Sequence, residues 1–192
     1  MTSRVYQRAA SRHLADDSIG EGATVDARAC DEFGAFRVRR LRAETLADVI
    51  AQVTGAVNDH PKLPSGASAT LLADGADGGV FLSTFGRAPR SSVCACEVSD
   101  SPSLSQALHL VNGPTVHDKV ARGAVVPALL KGGLGDAEVI VTLYARVLSR
   151  AATEGERDTL VALVAEAGEA RATALEDVFW ALVTSNEFLF QH

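Results

Sequence analysis

Apolar residues recur at helical spacing in four stretches of the chain. In A-E-T-L-A-D-V-I-A-Q-V-T-G, Leu46, Val49, Ile50 and Val53 fall at i, i+3, i+4 and i+7, acids sit early, and Gly55 offers a left-handed stop. From Asp136, read as an N-cap, Val139, Ile140, Leu143, Tyr144, Val147 and Leu148 form one apolar face that ends near Ser149 and Arg150. Thr153 and Glu156 match a capping box, and Leu160, Leu163, Val164 and Ala167 follow on one face up to Gly168. A last helix is expected from about Ala170 to Thr184, with Leu175, Val178, Phe179, Leu182 and Val183 inward and Trp180 at the stripe's edge. Short connections predict that the last three helices pack as antiparallel neighbours, a C-terminal subdomain over residues 134–192.

The middle of the chain, residues 58–100, reads as loop-rich. Pro61, Pro64, Gly66, Gly75, Gly78 and Gly79 punctuate it, leaving room for a short strand at Ala69 to Leu72 and a β-compatible run at Val80 to Phe85. The segment G-R-A-P-R-S-S-V-C-A-C-E, Gly86 to Glu97, is expected to be extended, since Pro89 disfavours helix at Ala88. A helix restarts at Ser101-Pro102, with Pro102 at the first helical position and Leu104, Leu108 and Val111 as its apolar stripe, and stops at Asn112-Gly113-Pro114. Thr115 is placed to cap the next turns, and Gly123 and Pro127 divide the stretch from Val116 to Leu130 into two short helices. The fold class expected is therefore mainly α: a helical bundle in a single domain over 1–192, with one or two short strands.

Composition narrows the function classes. With 192 residues the chain is long enough to bury a substantial core without metal or disulfide staples. Eighteen Lys+Arg against 24 Asp+Glu give a net charge of -6, which argues against nucleic acid or anionic lipid as a general partner. The longest apolar runs, Leu160 to Ala165 and Val178 to Val183, fall far short of the roughly 20 residues of a transmembrane helix. No apolar stretch follows the arginines of the first residues, so no secretory signal is read within this chain. Three cysteines, Cys30, Cys94 and Cys96, leave the compartment open.

The candidate chemistry lies between Arg87 and Asn112. In an extended chain Cys94 and Cys96 project from one side, a geometry that suits a metal or a redox pair as well as structural thiols or a disulfide. Cys30 and His109 are the nearest further ligands by residue type, while the second Cys/His pair that a strong zinc pattern needs is missing. Gln106, His109 and Asn112, three residues apart, line one flank of the helix beside its apolar stripe and could border a cleft. His109 is a candidate ligand or general base, against the commoner role of a hydrogen-bonded structural histidine. Arg87 and Arg90 flank Pro89 near the thiols, where a cation would favour thiolate. The run Arg37, Arg39, Arg40 and Arg42 is read as an ion-pair scaffold with Glu44 and Asp48 rather than a phosphate site. P-loop, dinucleotide and haem-attachment patterns are absent, and Gly132, Gly133 and Gly135 read as a turn.

Five segments carry a family resemblance: S-R-V-Y-Q at Ser3 to Gln7, F-R-V-R-R-L-R-A-E at Phe36 to Glu44, T-F-G-R-A-P-R-S-S-V-C-A-C-E at Thr84 to Glu97, S-L-S-Q-A-L-H-L-V-N-G-P-T-V at Ser103 to Val116, and A-L-E-D-V-F-W-A-L-V-T-S-N-E-F-L-F-Q-H at Ala174 to His192. Together they resemble the domain of unknown function 1553. The resemblance implies the C-terminal part of large planctomycete-type exported proteins that also carry a cytochrome c module and a domain of unknown function 1549. It also implies an acidic residue between the two sulfurs, where this chain has Ala95, and a domain that begins upstream of Met1, so that this chain corresponds to its C-terminal portion. Two roles follow: a structural or interaction domain that binds a partner chain or itself, or a redox or metal-site domain using Cys94, Cys96 and His109.

Overall fold

The computed structural model describes residues 39–60, 62–73, 79–89 and 102–191. The chain divides into two units, Leu41–Leu189 and Met1–Arg40 with Phe190–His192. In the second unit the described residues form a two-stranded antiparallel sheet, β1 (Arg39–Arg40) with β2 (Phe190–Gln191), Arg39 opposite Gln191 and Arg40 opposite Phe190.

The Leu41–Leu189 unit is helical, and its first helices frame the site. Helix α1 (Ala43–Thr54) buries Leu46, Ile50 and Val53, and Gly55 ends it at φ 72°. That is the left-handed cap its sequence predicts. A 3-10 turn follows at Ala69–Leu71, then α2 (Gly79–Thr84), α3 (Leu104–Asn112), α4 (Pro114–Gly123) and α5 (Val125–Lys131). Pro114 occupies the first turn of α4, where its missing N–H has no intrahelical acceptor to lose. The core helices are α6 (Asp136–Leu148), α7 (Glu154–Glu166) and α8 (Arg171–Val183), each packed on the other two, and a short α9 (Asn186–Leu189) closes the unit. Ile140 and Leu143 of α6 and Leu175, Phe179 and Val183 of α8 are fully buried. Each such side chain contributes about 1.5–3 kcal/mol relative to exposure.

The mainly helical class is as the sequence predicts, but both internal strand expectations give way to helical turns. Ala69 to Leu72 is not a strand: the Ser68 side chain accepts from Thr70 N and starts a 3-10 turn instead. Val80 to Phe85 is helical because Phe81, Leu82 and Phe85 then share one buried side, whereas a strand would split Leu82 from Phe81. Two helix starts also differ from expectation. Pro102 lies before α3, whose cap is Ser103: its hydroxyl accepts from Gln106 N, and Gln106 Oε1 accepts from Ser103 N. Asp136 is the first residue of α6 rather than its cap. Glu138 instead accepts from Gly135 N at 2.9 Å, while Asp136 pairs with Arg171 at 2.6 Å. The Thr153–Glu156 capping box of α7 forms as expected, yet Leu163, placed inward by periodicity, is half exposed.

Candidate functional site

Helices α1, α2, α3 and α4 touch in a ring: α1 with α2, α2 with α3, α3 with α4, and α4 with α1. They border a cleft of about 590 Å³, completed by the segment that runs from Val57 to His60. Its apolar walls are Ala47 and Ile50 from α1, Val80, Phe81 and Leu82 from α2, and Val57. Val57 and Val80 are 65% and 72% exposed. The polar lining comes from Asn58, Asp59 and His60, from His109 of α3, and from Thr115, Lys119 and Arg122 of α4.

A half-buried carboxylate fixes one wall. Asp48, one turn along α1 from Glu44, accepts from Asn58 Nδ2 at 3.0 Å and from Ala69 N at 2.7 Å through Oδ1, and from the Ser68 hydroxyl through Oδ2. Asn58, itself buried, turns its Oδ1 to Lys119 Nζ at 2.5 Å. A relay Asp48–Asn58–Lys119 thus ties α1 to α4, its second bond joining residues 61 apart in sequence. Burial, with the Arg122 charge beside it, holds the Lys119 ammonium below the ordinary lysine range, and Asp48 offsets part of this. His60 next to this relay is also shifted downward, chiefly by burial and further by Lys119 and Arg87, against the opposing pull of Asp48. Its Nε2 is buried with no hydrogen-bond partner among the described residues.

The opposite wall is aromatic. The Phe81 and Phe85 rings stack with centroids 4.4 Å apart, and the His109 imidazole stands edge-on to both, at 5.6 and 6.1 Å. His109 Nε2 shares a 3.0 Å hydrogen bond with Thr115 Oγ1, and its carbonyl accepts from Gly113 N at 2.9 Å. These two bonds stitch the end of α3 to the start of α4, so the ring's position is set by the helix junction.

Of the residues the sequence singles out, His109 lines the cleft and the others have different places. Gln106 is buried, but as scaffold: besides its role in the α3 cap, its Nε2 donates to Thr84 O at 3.1 Å, satisfying the last turn of α2. Arg87 is buried beneath α1, its Nε 3.1 Å from Glu44 Oε1 and its Nη2 donating to Leu72 O at 2.8 Å. Among the described residues Glu44 is engaged by Arg87 and Asp48 by the Asn58–Ala69 segment; the arginine run read as their scaffold begins at Arg37, which lies outside the described residues. Asn112 ends α3, and its side chain lies outside the described residues, as do Arg90, Cys94, Cys96 and Cys30. Among the described residues no group of three or more His, Cys, Asp or Glu side chains is placed to hold a metal.

Helix α3 is turned over relative to expectation. Leu104, Leu108 and Val111, read as its inward stripe, are 75%, 51% and 59% exposed, while Gln106 and Leu110 are buried. The buried side includes the residues that cap α3 and reach the Phe81–Phe85 pair, and periodicity alone cannot register that. The sequence reading also missed Asp48, Asn58, His60 and Lys119 as site residues. Their available signal was the cluster Asn58-Asp59-His60 in a proline-punctuated loop, whose polar groups need partners wherever the loop is tied down.

No curated protein and no solved structure matches the chain. Among the described residues no helix is long and apolar enough to cross a membrane. A family model described as PSD1, protein of unknown function (DUF1553), matches residues 1–164, which takes in every helix that borders the cleft. With most of its length matched in this way, the chain belongs to the family of proteins of unknown function DUF1553.

Proposed function

We propose that the Leu41–Leu189 unit is an interaction domain that takes its ligand in the α1–α4 cleft, within a planctomycete-type, haem-associated exported protein of the kind the family resemblance implies. The observation that carries the reading is the cleft's composition. Apolar walls open to solvent at Val57 and Val80 stand beside polar groups, of which Asn58, His109, Thr115 and Lys119 are held in place by hydrogen bonds. A concave site that joins apolar walls to polar groups of fixed position is suited to a small molecule, and about 590 Å³ is within the usual range. The hydrogen bonds of Asp48, Asn58 and His109 join neighbouring segments of the scaffold, which suits a site built to hold a shape.

Titration with the neutral apolar fluorophore N-phenyl-1-naphthylamine tests this. One saturable site per chain is expected, and Val80→Trp, a change at an exposed rim position, should occupy the mouth and abolish binding while leaving the circular dichroism spectrum unchanged. Absence of saturable binding, or equal binding by the variant, would refute the assignment.

A second reading places a redox or metal site at Cys94, Cys96 and His109. What favours it is the position of His109, on the cleft wall and only eight residues after Ser101, the last residue of the segment that carries the thiols. Metal content and a free-thiol count on one non-reduced sample test it. One equivalent of a transition metal, or a disulfide that forms and is reduced reversibly in the folded chain, supports it, and three thiols that bind no metal and stay free under mild oxidation remove it.

A further inference from the structure

We infer that the cleft takes a small amphiphilic anion, with its apolar body against Ile50, Val57, Val80 and Phe81 and its carboxylate or phosphate group against Lys119 and Arg122. This rests on the cleft being a binding site. An ammonium partly withdrawn from water ordinarily takes a carboxylate partner. Here Nζ donates to the neutral amide oxygen of Asn58 at 2.5 Å. The nearby carboxylate, Asp48, has both oxygens occupied by Asn58, Ser68 and the Ala69 amide. One of three ammonium donors is used by Asn58, and among the described residues no acid is in direct contact with the positive charge.

Arg122, one turn after Lys119's neighbour Asp118, adds a second cation to the same side of the lining. Its contact with Asp118 is long, 3.5 Å between Nη2 and Oδ2, and highly exposed, so it is of little energetic weight. His60 and His109 add ring nitrogens, and the buried Nε2 of His60 has no described partner. The opposing charge in the lining is Asp59, which is exposed and therefore screened by solvent. The cationic groups all lie on α4, and the apolar surface on α1, α2 and Val57, so one end of a ligand meets charge and the other meets hydrocarbon.

Calorimetric titration of the whole chain at pH 7 with octanoate, octan-1-ol and inorganic phosphate tests this. Octanoate is expected to bind one per chain. Octan-1-ol and phosphate should each bind at least about tenfold more weakly, a difference of about 1.4 kcal/mol. Arg122→Gln, at an exposed position where folding is not at risk, and Lys119→Met should each weaken octanoate about tenfold and so bring its affinity towards that of octan-1-ol. If octan-1-ol equals octanoate, the cleft binds but its occupant is not anionic. If phosphate equals octanoate, the apolar body is irrelevant and the amphiphile is wrong. If octanoate fails while N-phenyl-1-naphthylamine still binds, only the present inference falls, whereas failure of both removes the binding site itself.

Discussion

Replacing Gly123 by alanine is expected to destabilise the protein by about 3 kcal/mol and lower its Tm by about 6–12 °C. The last residue of α4 runs against the end of α1 so closely that a Cβ at position 123 would lie 1.7 Å from Thr54 O and 2.7 Å from Thr54 C. Both are backbone atoms, and neither yields by a side-chain rotation. Thr54 is anchored in turn, its hydroxyl donating to Ile50 O at 2.7 Å, and Gly55 beside it holds the left-handed conformation that ends α1. Relief therefore requires α4 to move away from α1, which would carry Lys119 from Asn58 and open the cleft. Thermal unfolding of Gly123→Ala beside Gly155→Ala checks this. At Gly155, in α7, an added Cβ meets nothing within 4 Å, so that variant should match or slightly exceed the parent.

The second large effect is expected at Arg150, just beyond α6. Its guanidinium reaches two carboxylates at once: Nη1 and Nη2 donate to Glu156 at 2.9 and 2.8 Å, and Nε and Nη2 to Glu187 at 2.6 and 2.9 Å. It also lies over the Tyr144 ring at 5.2 Å. One side chain thereby joins the start of α7 and the short α9 to the end of α6. Paired two-point bonds are strong, but the side chains of Arg150 and Glu156 are about a third exposed, 35% and 33%, which discounts them. Arg150→Met should cost about 1–2 kcal/mol.

The pH dependence has a definite sign. The Arg150 guanidinium, with the Thr153 cap bonds, holds the Glu156 carboxyl down to about 2 from an ordinary 4.5. A carboxyl depressed by folding contributes stability that is present above pH 4.5 and lost as pH falls through about 2. Urea unfolding between pH 5 and pH 2 should therefore show a steeper acid loss in the parent than in Arg150→Met. Parallel curves would show that the clamp does not act through Glu156 ionisation.

The parts of the fold legible in the sequence are those where local pattern and tertiary environment agree. Leu46, Ile50 and Val53 of α1, and Leu175, Val178, Phe179, Leu182 and Val183 of α8, are buried as their spacing demands. The Thr153–Glu156 box forms because both halves of it are local. Misreadings arise where local preference and tertiary packing diverge. Val80 and Phe85 are β-compatible by type, yet a helical turn puts Phe81, Leu82 and Phe85 together against α1 and α3. In α3 the apolar spacing of Leu104, Leu108 and Val111 marks the exposed side, because Gln106 is needed inside to satisfy Thr84 O and Ser103 N. The cleft was legible in one residue, His109. Its other polar members are joined by bonds such as Lys119 to Asn58, 61 residues apart, which no spacing rule connects.

Amide chemical-shift mapping of the labelled chain during an octanoate titration addresses the ligand cleft itself. The predicted result is a saturable set of shifts at His60, Val80, Thr115 and Lys119, residues from three separate segments that meet only in the cleft. Shifts confined to α6 and α8, or drifting without saturation along the exposed Leu104, Leu108 and Val111 face, would contradict it.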